Sequence, residues 1–466
     1  MTGKWLTLFF LFLSMFTTAQ PKINLADDSL VIVGNISFLG NKITKDKIIR
    51  RELEFHQGDT LSKTAFQQKI KKSRENLINR SLFNFVTFTI IDSGNKKNIT
   101  ISFIERWYIW PIPILDFADR NINAWWQTKD FSRINYGIDL RVDNFRGRME
   151  LLHIILQNGF DKAVGVQWEI PYVNKKQKFG ISFSTGLVFS KETDYNTIDN
   201  KPVFYGPDNG FAKKLYFAEI GFSYRGNYNI FHSLLLTYNN LVLNDSLLVL
   251  NPSLTYGQTL YNYFNLFYKL KIDYRDYKPY PLNGYYFDVQ FNKMGFGVLS
   301  DMNSSSLELN FDHYFNIYRR LFFAYRLAAL YTIDKKLQPY IVTKGMELGD
   351  LDMRGYQLFV INGQKIGLLK SNLKFEIIPM KTHRIKWIKN EKFGKLFYAL
   401  YANLFFDSGY VSDSQTGENN PLANQYLWAT GLGLDFVSFY DIVIRLEYTI
   451  NKQKQTGVYV GLVASI

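Results

Sequence analysis

The stretch Asp352-Met353-Arg354-Gly355-Tyr356, followed by Ser371-Asn372-Leu373-Lys374-Phe375-Glu376-Ile377-Ile378-Pro379, decides the fold of this chain. In the second segment apolar and polar residues alternate, which predicts a strand with one apolar and one polar face. Arg354 precedes that strand, in a predicted loop. A guanidinium has five donors and keeps its charge, so an arginine held away from water needs several acceptors. Two carboxylates are well placed to accept: Glu376, on the polar face, and Asp407, which ends the alternating run Phe397 to Phe406.

The Arg-Gly dipeptide alone is weak evidence, because Arg146-Gly147 and Arg225-Gly226 also occur and such pairs are commonly turns. The spacing of Arg354-Gly355-Tyr356, the following strand and Phe405-Phe406-Asp407-Ser408-Gly409 resembles the barrel signature of the Omp85 family. These are outer-membrane proteins that insert or translocate other proteins. The resemblance implies that the loop carrying Asp352, Arg354, Gly355 and Tyr356 folds back into the barrel lumen, where Arg354 pairs with Glu376 and Asp407.

Composition favours strands that face lipid on one side and water on the other. Aromatic residues make up 17% of the 466 residues, yet mean hydropathy is only -0.15. A soluble β-sandwich or propeller is the alternative. The net charge of +14 suggests nucleic acid, but no basic run with interleaved aromatics occurs, and anionic outer-membrane lipid or lipopolysaccharide explains the excess equally well. The absence of cysteine excludes disulfides and thiolate chemistry.

Residues 1–20 have the pattern of a secretory signal peptide: Lys4, an apolar run from Trp5 to Phe16, and small residues before Gln20. No other stretch has the roughly 20 apolar residues of a membrane-spanning helix. An envelope protein without such helices crosses a membrane only as a closed barrel. The sequence therefore predicts an all-β transmembrane barrel of about 16 antiparallel strands in a bacterial outer membrane.

Residues 28–106 are predicted to form a small α+β domain of β-α-α-β-β order. Its turn residues Gly40-Asn41 and Gly58-Asp59, and its final Phe103-x-Glu105, resemble those of a POTRA domain, the periplasmic module of the Omp85 family. An exposed strand edge in such a module can pair with an extended client peptide. A domain that only braces the barrel mouth is the alternative, because a single copy is present.

Residues 107–132 are rich in Trp and Pro and are interpreted as a hinge at the membrane interface. Residues 133–466 form the predicted barrel, with a long lumen-folded loop near 332–363. A mid-barrel hairpin containing Asp273, Arg275, Asp276 and Gly284 resembles another Omp85 landmark. The sixteen predicted strands begin near Arg133, Arg148, Ala163, Lys178, Lys214, Asn229, Leu247, Asn262, Tyr285, Ser305, Leu321, Ile366, Leu396, Tyr426, Asp441 and Gly457.

The first and last predicted strands would meet at a weakly paired seam. The first carries Ile134, Tyr136 and Ile138, and the last carries Val460, Leu462 and Ile466. The family typically ends in an aromatic residue that helps to target the barrel, so Ile466 departs from its pattern.

No enzyme motif is recognisable in the sequence. The five histidines are scattered, and neither a Gly-x-Ser-x-Gly elbow nor a phosphate-binding loop occurs, so no metal, cofactor or catalysis is expected. The predicted function is assembly, insertion or translocation of unfolded or exported client proteins by β-augmentation at the seam. The alternative is a passive channel or a structural barrel that works with other envelope assembly subunits.

Overall fold

A computed structural model describes residues 29–93, 96–117, 131–334, 338–343, 345–347, 351–414 and 419–462. The predicted signal peptide, the hinge residues Trp125 and Trp126, and Ile466 lie outside the described residues.

The N-terminal unit is a four-stranded sheet packed against helices. Its elements are β1 Leu30–Leu39, α1 Asp46–Arg50, β2 Thr60–Ser62, α2 Lys63–Ile78, β3 Phe83–Ser93 and β4 Lys96–Glu105. The strand order is β2-β1-β4-β3, with β1 parallel to β4 and β3 at a free edge. Ser62 begins α2 by accepting a hydrogen bond from the amide of Ala65. Phe66 and Leu77, on one face of α2, are buried with Ile99 and Ile101 of β4.

The rest of the described chain is dominated by one 16-stranded antiparallel sheet, in which each strand pairs with the next sheet strand along the chain. The fold is a β-barrel. Its strands are β5 Ile109–Phe117, β6 Ile134–Phe145, β7 Glu150–Gly159, β8 Lys162–Ile170, β9 Phe179–Ser190, β12 Lys213–Arg225, β13 Ile230–Leu243, β14 Leu260–Asp273, β15 Gly284–Phe296, β16 Leu299–Tyr318, β17 Leu321–Thr332, β20 Lys365–Arg384, β21 Lys395–Ser412, β22 Tyr426–Ser438, β23 Val443–Asn451 and β24 Thr456–Leu462.

The connections carry the remaining elements. They are the hairpin β10 Thr193–Ile198 and β11 Lys201–Tyr205, the helix α3 Ser246–Leu250, the two-residue strands β18 Gly345–Met346 and β19 Ile361–Asn362, the helix α4 Glu391–Gly394, and 3-10 turns at Phe131–Arg133 and Tyr340–Val342. None of the described helices is long and apolar enough to cross a membrane.

The barrel strands have the reverse of the pattern found in a soluble core. Along β23, Arg445, Glu447 and Thr449 are buried, whereas Ile444 and Leu446 are exposed. The polar side chains therefore fill the lumen and the apolar side chains cover the outer surface, as lipid requires. The same inversion holds in β20, where Lys370 and Lys374 are buried and Phe375 is exposed.

The strand count agrees with the prediction, but two compensating errors lie behind it. Leu247 begins no strand: it lies in α3 and packs inside a cluster with Leu254 and Tyr261. The missing strand is β5, which occupies part of the predicted hinge. Pro111 and Pro113 favoured a hinge because proline cannot donate to a ladder, yet an edge strand tolerates it.

A charge on the outer surface should destabilise the barrel in a bilayer. Leu432 lies at the centre of β22 with 61% of its surface exposed. We expect Leu432→Arg to lower the free energy of unfolding by about 2 to 4 kcal/mol in phospholipid vesicles, measured by urea titration and tryptophan fluorescence. The control Leu432→Phe should leave it nearly unchanged. Equal stability of both variants would contradict a lipid-facing position.

Candidate functional site

Arg354 lies in the connection between β17 and β20, and its side chain is clamped by Asp407 of β21. The Nε of Arg354 donates to Asp407 Oδ2 at 2.8 Å, and its Nη2 donates to Oδ1 at 2.5 Å. The backbone amide of Arg354 also donates to Oδ2, at 3.2 Å. Both side chains are almost fully buried, with exposures of 4% and 0%. This bidentate pair fixes both the loop backbone and the guanidinium to one strand of the barrel.

The remaining donors of Arg354 contact two further strands. Its Nη1 donates to Asn372 Oδ1 of β20 at 2.7 Å and to Glu447 Oε1 of β23 at 3.2 Å. The Phe405 ring centroid lies 3.9 Å from the guanidinium carbon. The loop is thus attached to β20, β21 and β23, which together form one wall of the barrel.

The predicted pairing of Arg354 with Glu376 is wrong. Glu376 accepts a hydrogen bond from the Tyr401 hydroxyl at 3.4 Å, and Glu447 is the second carboxylate at Arg354. Glu376 and Asn372 point to the same side of β20 but are four residues apart, about 13 Å along the strand. Glu447 was not among the residues predicted from the sequence, because only the strand register shows which inward carboxylate reaches Arg354.

The neighbours of Arg354 are also held by the barrel wall. Asp352 accepts from the Nζ of Lys370 at 2.9 Å, and the Tyr356 hydroxyl donates to Gln453 Oε1 at 2.8 Å. Gly355 has φ of 82°, and a Cβ there would lie 3.2 Å from Ala429. Its carbonyl accepts from Asn451 Nδ2 at 2.8 Å. Every residue of the predicted loop motif therefore has a defined position inside the lumen.

A chain of charged and polar contacts runs from Arg354 to the other motif found in the sequence. Glu447 lies 3.8 Å from Arg445 Nε, Arg445 pairs with Asp435 at 2.8 Å, and the Tyr280 hydroxyl donates to Asp435 at 2.8 Å. Tyr280 belongs to the connection between β14 and β15, so two connections that are distant in sequence meet on the same strands.

Lys374 lies beside that chain of contacts. It is 1% exposed, and its Nζ lies 4.3 Å from the centroid of the Tyr280 ring. Among the described residues this Nζ has no hydrogen-bond acceptor. The two contacts of Tyr280, with Asp435 and with Lys374, hold the tip of the β14–β15 connection against the far wall.

The β14–β15 connection contains the predicted hairpin motif. Arg275 forms a bidentate pair with Asp273, at 2.9 and 3.0 Å. Asp276 closes the turn by accepting from the amides of Tyr277 and Leu282. Gly284 has φ of 101°, and a Cβ there would lie 2.1 Å from a backbone carbonyl, so only glycine fits.

The N-terminal domain docks onto the barrel through buried charges. Glu52, just after α1, accepts from both Nη atoms of Arg225 at 2.7 and 2.8 Å, and from Arg80 Nε at 3.0 Å. Exposures of the three side chains are 1%, 4% and 9%. Burial alone would raise the pKa of Glu52, but the charges of Arg80 and Arg225 outweigh it and lower this pKa to about 2.

A second junction joins three parts of the chain at Asp441, in the turn between β22 and β23. Asp441 accepts two hydrogen bonds from Arg106 at 2.7 and 2.8 Å, one from Ser81 Oγ at 2.9 Å and one from the Tyr277 hydroxyl at 3.1 Å. The N-terminal domain, the β14–β15 connection and the end of β22 are thereby held together at one mouth of the barrel.

The strand predicted to be first in the barrel is not at an edge of the sheet. Ile134, Tyr136 and Ile138 belong to β6, which has neighbours on both sides, and the edge strand is β5. Val460 and Leu462 lie on the other edge strand, β24, with exposures of 73% and 79%. The described residues of β5 and β24 form no ladder with each other.

The described chain contains no group of three or more His, Asp or Glu side chains arranged to hold a metal ion.

Comparison with known proteins agrees with this architecture. Residues 31–106 match the POTRA family, described as surface antigen variable number repeat. BamA from Haemophilus ducreyi, in a crystal structure lacking POTRA domains 1-3, is 15% identical with a TM-score of 0.50 over 93% of this chain and 83% of that chain. CdiB from Escherichia coli is 12% identical with a TM-score of 0.52 over 92% and 75%. No curated protein matches the chain.

These matches define the class of protein. Residues 31–106 form a POTRA domain, followed by a 16-stranded β-barrel. The chain shares the fold of BamA and CdiB, and the POTRA domain and barrel that the sequence resemblance implied are confirmed.

Removing the Arg354 side chain should leave Asp407 and Glu447 buried without their cation. We expect Arg354→Ala to reduce the free energy of unfolding by about 3 to 5 kcal/mol, measured by denaturant titration in detergent micelles. Arg320, an exposed arginine in the β16–β17 turn, provides the control, and Arg320→Ala should change stability by less than about 0.5 kcal/mol. Equal effects of the two variants would show that the clamp is not structural.

The Glu52 contacts should be lost in acid. Because the pKa of Glu52 is lowered from 4.5 to about 2, its contribution is fully present above pH 4.5 and disappears as pH falls through about 2. We expect Glu52→Gln to be less stable than wild type at pH 7, and the difference to shrink as pH falls from 4.5 towards 2. Denaturant unfolding of the full chain at each pH measures it. A difference that stays constant with pH would contradict the assignment.

Proposed function

We propose that this chain is an outer-membrane protein that inserts or translocates client proteins, with its POTRA domain in the periplasm. The observation that carries this proposal is the pair of edge strands β5 and β24, which lack a common ladder among the described residues. An unpaired strand edge is a template for another strand. A client strand would add to this edge through main-chain hydrogen bonds, without a cofactor.

The sequence of β5 supports a weak seam. Pro111 and Pro113 occupy alternate positions, opposite Leu140 and Ile138 of β6, so both fall on the same side of the strand. Neither has a backbone N–H, and edge strands accommodate proline where the missing donor would face away from the ladder. Two successive donors are then missing from the free side of β5, which lowers the number of bonds that can close the barrel.

The opposite edge is better suited to receive a client. The described residues of β24 include no proline, so each of them keeps its backbone N–H. Its outward side chains Val458, Val460 and Leu462 are strongly exposed and suit a lipid-facing strand. We infer that β24 separates from β5 first and pairs with the incoming strand.

The Arg354 clamp would keep the rest of the barrel in shape while the seam opens. It ties β20, β21 and β23 to one loop, and these strands lie next to the moving edge. The loop and Tyr280 also occupy the lumen, which argues against a wide passive channel as the main function.

The POTRA domain offers a first contact for a client. Its strand β3 is a free edge, and Ile90 and Ile91 on that strand are exposed by 41% and 58%. An extended client would pair with β3 by β-augmentation before reaching the barrel. The docking through Glu52 and Asp441 also supports a bracing role, so capture and bracing belong to the same domain. Outer-membrane lipid and lipopolysaccharide are the proposed surroundings of the barrel.

Covalent closure of the seam tests the proposal. The chain has no cysteine, so pairs introduced at Leu115 of β5 and at Val458 or Val460 of β24 are its only thiols. We expect oxidation of a pair that cross-links to abolish insertion of a barrel client into liposomes, and reduction to restore it.

The matched control is a cysteine pair replacing Leu434 and Leu446, which face each other in the intact β22–β23 ladder. Oxidation of this pair should leave insertion unchanged, because no opening is proposed there. Full activity with the β5–β24 seam cross-linked would refute the seam mechanism.

A further inference from the structure

A cavity of about 580 Å³ lies in the lumen beside the β14–β15 connection. That volume is within the range of roughly 300 to 1,000 Å³ typical of small-molecule sites. All of its lining residues belong to the described part of the chain, on strands β13 to β17, on the β14–β15 connection and, at Asp352, on the Arg354 loop. The charged lining side chains are five cations, Lys269, Lys271, Arg275, Lys278 and Arg326, and three carboxylates, Asp273, Asp288 and Asp352.

The two arginines of the lining are already paired. Nε and Nη2 of Arg275 donate to Asp273 at 2.9 and 3.0 Å, and the same atoms of Arg326 donate to Asp312 at 2.7 and 3.0 Å. In each pair the planar guanidinium matches the two oxygens of a carboxylate. The positive charge that remains available to a ligand is therefore that of the three lysines.

The other carboxylates of the lining are also engaged. Asp288 Oδ1 accepts from Gln290 Nε2 at 2.9 Å and from Asn310 Nδ2 at 3.3 Å. Asp352 Oδ2 accepts at 2.9 Å from Nζ of Lys370, which lies outside the lining. These carboxylates are thus used by groups other than the three lysines.

Two of the lysines lie at the outer limit of contact with a carboxylate. Lys269 Nζ is 3.5 Å from Asp288 Oδ2, and Lys278 Nζ is 3.5 Å from Asp273 Oδ2. Hydrogen bonds from N–H to oxygen are normally about 2.7 to 3.2 Å long, so neither contact is a well-formed one. Both side chains line the cavity and keep 27% of their surface exposed. Both ammonium groups therefore have donors to offer to a ligand.

Lys271 has no acceptor at all among the described residues. It lies opposite Asp288 in the β14–β15 ladder, yet its Nζ forms neither a hydrogen bond nor an ion pair there. Its nearest recorded contact is the Phe231 ring, whose centroid is 5.0 Å from Nζ. An ammonium has three donors, and leaving them unpaired in a half-buried position is costly. The missing acceptors must come from water or from a ligand.

The surroundings of Lys278, in the β14–β15 connection, are cationic. Burial and the charge of Arg80, with smaller contributions from Lys271 and Arg275, lower the pKa of Lys278 to about 8, although Asp273 acts in the opposite direction. The neighbouring positive charges thus outweigh the one carboxylate beside this lysine. A bound anion would relieve that repulsion.

The lysines form a row along the cavity. Lys269, Lys271 and Asp273 occupy alternate positions of β14 and so share its lumen face, and Lys278 lies against Asp273. Alternate positions of a strand are about 7 Å apart. A ligand with two linked phosphate groups therefore contacts more of this row than a single phosphate does.

We propose that this cavity binds a phosphate-bearing ligand through the ammonium groups of Lys269, Lys271 and Lys278. Lysine binds phosphate as a point charge, and the tetrahedral group accepts from several directions. A carboxylate would be matched better by a planar guanidinium, and both arginines of the lining are engaged. A soluble phosphorylated molecule and a phosphorylated lipid headgroup share this chemistry. The site does not include the seam, so the inference does not depend on the proposed client insertion.

Titration calorimetry with pyrophosphate tests this inference. The full chain would be purified in dodecyl maltoside, an uncharged detergent, and titrated at pH 7 with sodium pyrophosphate and, separately, with citrate, an anion that carries carboxylates only. We expect pyrophosphate to bind and citrate to bind more weakly. A second arm adds phosphatidic acid to the micelles: displacement of pyrophosphate would identify a lipid-borne phosphate, and its persistence a soluble one, and either result is consistent with the site.

We expect Lys271→Met to bind pyrophosphate at least about tenfold more weakly, because it loses a charge-assisted contact. The matched control is Lys293→Met, since Lys293 of β15 lies outside the cavity and donates to Asn303. It should bind as wild type does. Asp288→Asn should bind more tightly, because it removes a negative charge from the lining, and a misfolded variant would not show such a gain.

Heat-modifiable migration in gel electrophoresis would confirm that each variant forms the barrel. Absence of pyrophosphate binding by the wild-type chain would overturn the proposal. So would equal affinity of Lys271→Met and wild type, or citrate binding as tightly as pyrophosphate.

Discussion

The barrel depends on how its lumen accommodates charge. Lipid requires apolar side chains outside, so the polar face of every strand turns inward, where each buried ion needs a partner. Arg354 is the central case, because Asp407, Glu447 and Asn372 come from three different strands to accept its donors. A buried guanidinium cannot lose its charge, so its position dictates which strand residues must lie beside it. The loop that carries Arg354 therefore stabilises the barrel wall through these contacts.

Much of this architecture could be predicted from the sequence, because membrane strands alternate with a strict period of two. That period identified the polar face of the strand that carries Glu376, and the strand that Asp407 follows. It could not show that Glu447 rather than Glu376 reaches Arg354, since register between strands depends on hydrogen bonding that alternation does not encode. β5 was not predicted because Pro111 and Pro113 argued against a strand. Proline is excluded from central strands but is tolerated in an edge strand. The unbroken apolar run around Leu247 suggested a strand, yet it lies in a short helix.

The contacts of the POTRA domain connect its position to the barrel interior. Asp441 joins Arg106 and Tyr277, and Tyr280, three residues further along the same connection, reaches Asp435. Asp435 is linked through Arg445 and Glu447 to Arg354. A displacement of the POTRA domain would therefore disturb groups deep in the lumen. These residues come from separate parts of the chain, so only the strand register shows that the POTRA domain is linked to Arg354.

The hydrogen bonds of the buried side chain of Asn200, at the tip of the β10–β11 hairpin, have a mechanical consequence. The β10–β11 hairpin leaves the wall between β9 and β12 and is fastened to Val360, Asn420 and Leu422, on the opposite side of the mouth. It acts as a strap across the diameter, so the strands between its two attachment points form a stiff half-cylinder. Any widening is then concentrated in the unstrapped strands, β5 to β9 on one flank and β22 to β24 on the other. We expect the wall to be less stiff beside the edge strands β5 and β24 than between the two attachments of the hairpin.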